Sequence, residues 1–88
     1  MLDTIELSTL EPGESAVVEA VGGGEAMRRR LMDLGLIGGT RVTCLGRSPA
    51  GDPAAYLIRG AVIALRRTDA SGVTARLADT RTTKRELL

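Results

Sequence analysis

The 88-residue chain predicts a small, mainly β fold: a barrel of about five short strands with one α-helix between the first and second. Three observations lead there. Short runs of alternating apolar and polar residues recur, each bounded by Gly, Pro, Asp or Ser. Only one stretch has helical spacing. The length suits a single core, since a chain of this size buries only ~60% of its unfolded surface, and short strands joined by tight turns curl into a barrel more readily than they stack as two sheets.

The elements follow in order. Pro12 and Gly13 occupy the centre of a type II turn, where a fixed φ and then a positive φ are wanted. "SAVVEAV" (15–21) is the first strand, with Ala16, Val18 and Ala20 on one face and Val17, Glu19 and Val21 on the other. Gly22, Gly23 and Gly24 end it. "EAMRRRLMDLG" (25–35) is the helix: Met27, Leu31 and Leu34 make one apolar stripe, and Glu25 suits the positive end of the dipole. Gly35 stops it as a left-handed cap, which predicts Leu36 folding back on Leu31 in a Schellman motif. "IGGT" (37–40) is a second tight turn, and Val42 and Cys44 share a face of the next strand, "TRVTCLGR" (40–47). "SPAGDP" (48–53) is a turn cluster. "AAYLIRG" (54–60) and "AVIALRR" (61–67) form a hairpin about Gly60, which sets Arg66 and Arg67 on opposite faces of a strand. "TDASG" (68–72) breaks the chain, and "VTARLA" (73–78) is the last strand, with Val73, Ala75 and Leu77 facing together. The predicted fold is an SH3-like barrel over residues 1–78 with the helix across one opening, and 79–88 reads as a frayed tail.

Composition excludes several functions. The apolar share of 43% and a charge of mixed sign fit a folded domain. No apolar run is long enough to span a bilayer, and the acidic N-terminus does not read as a signal peptide. A cytoplasmic chain is expected, and a single cysteine agrees with a reducing compartment. The net charge of +1 hides an asymmetry, because residues 1–25 carry six acids and no base while residues 26–88 carry twelve bases and five acids. Folding can set these halves side by side. Tyr56 is the only aromatic residue, too few for the stacking platforms of single-stranded nucleic-acid binders or the aromatic grooves that take Pro-rich peptides.

A catalytic constellation is not visible. The chain has no His, so a metal would need Cys44 with carboxylates, and no acids show the spacing of a zinc or calcium site. Cys44 alternates with Val42 and reads as a buried small hydrophobe. The glycine triplet lacks the Gly-Lys-Ser/Thr of a phosphate loop. No cofactor and no enzymatic activity are expected. Arg28, Arg29 and Arg30 fan through about 200° of helix, so they do not converge on a phosphate by spacing alone.

A docking surface is legible instead. Leu36 has its structural use against Leu31, but Ile37 lies between the helix cap and the next turn with no evident core partner. A branched apolar residue beside cations has the composition of an interface anchor with a charged rim. The candidate partner-binding residues are therefore Leu36, Ile37, Gly38 and Gly39 with Arg28, Arg29 and Arg30.

"RRLMDLGLIGGTRV", "RSPAGDPAAYLIRG" and "VIALRRTDASGVTARL", in that order, resemble the ferrous iron transport protein A (FeoA) family over roughly residues 5 to 78. The resemblance implies an SH3-like accessory protein of bacterial ferrous iron uptake. Its partner would be the cytosolic part of a GTPase-bearing ferrous iron permease, with no catalysis of its own, no specific nucleic acid and no direct membrane insertion. Weak self-association and contact with a transition metal ion stay open. A similar domain forms the C-terminal module of iron-dependent repressors, so the alternative is a regulatory module associated with transcription or translation. The freestanding form is expected, because no DNA-binding helical domain precedes the barrel. The family usually has proline where this chain has Gly38, which implies a more mobile 36–40 loop by up to ~1 kcal/mol of chain entropy.

Overall fold

The computed structural model describes residues 4–78; the tail expected at 79–88 lies outside the described residues. Six strands form one antiparallel sheet: β1 (Thr4–Glu6), β2 (Ser15–Val21), β3 (Arg41–Arg47), β4 (Ala54–Ile58), β5 (Ala61–Leu65) and β6 (Val73–Ala78). Their order across the sheet is β1-β6-β2-β3-β4-β5. Helix α1 (Glu25–Asp33) connects β2 to β3, and a four-residue helix, α2 (Arg67–Ala70), connects β5 to β6.

The mainly β fold thus stands, with corrections of detail. The extra strand is β1, three residues that pair Thr4, Ile5 and Glu6 with Arg76, Ala75 and Thr74 of β6. So short a run carries no periodicity of its own; its partner strand makes it a strand. Helix α1 consequently follows the second strand, not the first. The hairpin turn is Arg59–Gly60, with φ of 52° and 85°. Two positive φ values in a two-residue connection define a type I′ turn, whose twist matches that of the flanking strands. Strand β5 then stops at Leu65. Arg67 opens α2 instead of extending the strand, and its backbone N–H donates to Oδ1 of Asp52 at 2.8 Å. A carboxylate from another loop thus satisfies an orphan donor of the helix.

The alternation in β2 also breaks. Val18 lies opposite Ala75, but Ala20 lies opposite Thr74, so the register shifts at Glu19. This bulge turns Ala20 outward and brings Val21 against the core, the reverse of the simple period-2 expectation. Leu77 does not share the burial of Val73 and Ala75, being 41% exposed.

The core fills the inside of the coiled sheet. Ala16, Val18, Val42, Cys44, Ala54, Tyr56, Ile58, Leu65, Val73 and Ala75 are buried together from five strands. One end is closed by Leu7 and Leu10, in and beside the 3₁₀ turn Leu7–Thr9, with Ala70 of α2. There the guanidinium of Arg47 donates to the Leu10 carbonyl at 2.7 Å. The opposite end is closed by Leu31 and Leu36, whose burial contributes about 1.5–3 kcal/mol each.

Candidate functional site

The site begins with how α1 stops. Leu36 N–H donates to the Leu31 carbonyl at 3.1 Å and Gly35 N–H to the Met32 carbonyl at 2.9 Å, the bond pair of a Schellman motif. Gly35 has φ of 109°. A β-carbon there would lie 2.7 Å from Cδ of Arg59 and 3.2 Å from Cγ2 of Ile58, so glycine is required by both backbone and space. The stem of Arg59, at the β4–β5 hairpin tip, therefore rests on the helix end, where a cation suits the negative end of the dipole.

Beyond the cap, the chain turns again. Thr40 N–H donates to the Ile37 carbonyl at 3.0 Å, and Gly39 has φ of 94° while Gly38 is not in the positive-φ region. This is a type II turn with Gly38 and Gly39 at its centre. Two backbone bonds of 2.8 Å fasten it to β2, one from Gly39 N–H to the Val18 carbonyl and one from Val18 N–H to the Thr40 carbonyl. The freedom that Gly38 confers therefore belongs to the unfolded chain more than to the loop.

Val21, Arg28, Met32, Leu36, Ile37 and Gly38 line a shallow groove of about 240 Å³ between α1 and this turn. Leu36 forms its buried floor, while Ile37 and Met32 are 38% and 40% exposed at its rim. Of the residues expected to dock, Leu36, Ile37, Gly38 and Arg28 come together here. Arg29 does not line the groove. It lines an adjoining depression with Glu25, Arg28, Met32 and Asp33, and pairs with Glu25 at 3.7 Å with both side chains in solvent. Arg30, in the last turn of α1, lines neither depression, and Gly39 is committed to the turn.

Val21 and Met32 belong to the groove without having been expected there. Met32 lies one turn beyond Arg28, a spacing that could have paired them. The inward turn of Val21 depends on the β2 bulge, for which the sequence holds no signal.

Cys44 and Tyr56 pack within the core. Cys44 is fully buried, and burial pushes its thiol above the ordinary value of 9.0. Tyr56, opposite it on β4, is likewise raised above 10.0 by burial. No three His, Cys, Asp or Glu residues are grouped to hold a metal ion among the described residues. No described helix is long and apolar enough to cross a membrane.

A six-stranded SH3-like barrel with a capped helix over one end, and a groove beside the cap, defines the class of domain. The FeoA domain family matches residues 5–77, and the chain belongs to the FeoA family. It is 32% identical over 79 residues to an Fe(2+) transport protein A/Fe(2+) transporter FeoB fusion protein of Porphyromonas gingivalis (strain ATCC BAA-308 / W83), covering 90% of this chain and 9% of the fusion protein. The solution structure of FeoA from Chlorobium tepidum superposes with a TM-score of 0.78 at 40% identity, covering 83% of this chain and 70% of that one. The zinc-complexed crystal structure of FeoA from Stenotrophomonas maltophilia, an SH3 domain protein, gives 0.72 at 33% identity, covering 81% and 88% of the two chains.

Proposed function

We propose that this protein acts in ferrous iron transport as an accessory protein that docks on the cytosolic part of a GTPase-bearing ferrous iron permease. The groove of α1 and the 36–40 turn is the docking surface. The observation that carries this reading is Ile37, a branched apolar side chain held at the rim of the groove beside Met32 and Arg28 by a turn fastened to β2. Further support comes from the fusion protein of Porphyromonas gingivalis, in which a relative of this chain and an FeoB transporter share one polypeptide. The surface would act through apolar contact framed by charge, the pattern of a binding hot spot and its rim.

Ile37→Asp tests it. Binding to detergent-solubilised FeoB-type permease should weaken by about 2 kcal/mol or more, roughly 30-fold, with little change in melting temperature. An Ile37→Asp variant that folds normally and binds the permease like the parent would overturn the assignment of this groove.

A further inference from the structure

We propose that the free edge of β5 is a second interaction surface, and that it takes an extended segment of a partner protein as an added strand. That segment is apolar at alternate positions and acidic at its ends. The sheet has two free edges, β1 and β5. They are built differently. β1 is three residues long, contains Glu6 and runs straight into a 3₁₀ turn, so shortness and charge both blunt it. β5 has neither device: Ala61–Leu65 contains no charge and no proline, and its register with β4 runs without a shift.

The hydrogen-bonding pattern shows what the β5 edge offers. In a two-residue hairpin the residues flanking the turn form a hydrogen-bonded pair, and such pairs then alternate along the ladder. Ile58–Ala61, Tyr56–Ile63 and Ala54–Leu65 are therefore the bonded pairs. The N–H and C=O groups of Val62 and Ala64 point away from β4 and have no backbone partner among the described residues. Strand addition supplies that partner.

The side chains and charges select the occupant. Val62 is 67% exposed and sits opposite Leu57, itself 38% exposed, on the outer face of the sheet. An added strand with an apolar residue beside Val62 would extend this row. Exposed arginines stand at both ends of β5: Arg59 in the turn before it, Arg66 and Arg67 after it. None of the three forms an ion pair among the described residues. A second copy laid antiparallel on this edge would set arginine against arginine at each end, which is unfavourable. A different chain with acidic flanks meets both ends with opposite charge.

The probe is a capped peptide of alternating valine and threonine with two glutamates at each end, titrated into the ¹⁵N-labelled full chain. The expected result is a saturating shift of the β5 amides and slowed hydrogen exchange at Val62 and Ala64. The same peptide with lysine flanks should bind about tenfold or more weakly. Val62→Glu, which places on the edge a charge of the same sign as the peptide's flanks, should weaken the acidic peptide by about tenfold or more with its melting temperature unchanged. Ile37→Asp should bind the peptide like the parent, so this surface and the α1 groove are read separately. The proposal is overturned if the β5 amides do not shift at millimolar peptide, or if both peptides bind alike. It is also overturned if Val62→Glu binds undiminished, or if the chain self-associates in sedimentation and Val62→Glu abolishes that.

Discussion

The Cys44 side chain lies within the core of the sheet. It is fully buried opposite Tyr56, and nothing around it serves as a metal ligand set among the described residues. Its expected role is packing. A thiol reagent should label native protein far more slowly than the unfolded chain, and labelling at equal rates would contradict that role. Cys44→Ser should cost about 1–3 kcal/mol in chemical denaturation, because the hydroxyl is buried in an apolar site. Burial also makes the thiol harder to ionise in the folded state than in the unfolded one, so the folded chain holds that proton more tightly. The resulting stability is fully present below the ordinary thiol value of 9.0 and is lost as pH rises above it. Tyr56 acts in the same direction from 10.0 upward. Melting temperature should therefore fall as pH rises above about 9, less steeply in Cys44→Ala.

At the scale of elements, the turns decide what the strands present. The type II turn at Gly38–Gly39 has a non-positive φ at Gly38, the position where proline pre-sets the chain, and Gly38 N–H makes no backbone hydrogen bond among the described residues. A β-carbon there would meet only the Glu19 carbonyl, at an ordinary 3.5 Å. Gly38→Pro should therefore stabilise by ~0.4–1 kcal/mol, read as a rise of a few degrees in melting temperature. A fall would mean that Ile37 does not tolerate the extended backbone that precedes proline. The same elements show what was legible in the sequence. The Met27–Leu31–Leu34 stripe and Gly35 were enough to read α1 and its Schellman cap, because helix spacing and a left-handed cap are local properties. β1, α2 and the bulge at Glu19 were not legible. The first exists only through β6, the second is held by Asp52 from a distant loop, and the third is a matter of register between strands. In the site, Ile37 stood out as an apolar residue between two turns. Val21 and the separation of Arg30 from the groove required three dimensions.

At the scale of the whole molecule, the acidic first segment and the basic remainder meet across strands. Arg76 on β6 pairs with Glu19 on β2 at 3.3 Å. Interleaving of this kind leaves less of the basic excess as one continuous face. Duplex and single-stranded probes at physiological salt should therefore bind no tighter than the ~10⁻⁴–10⁻⁶ M of non-specific contact. A sub-micromolar, sequence-dependent complex in a mobility-shift assay would contradict this. The pairing of β1 with β6 has a consequence for how such a domain can be joined to others. Thr4 lies opposite Arg76, so residues 4 and 78 are within roughly 10 Å of each other at adjacent strand spacing. Polypeptide added before and after the barrel departs from one corner of it. The unit can thus be spliced into a longer chain, or have its ends linked and be reopened elsewhere, with its core left intact.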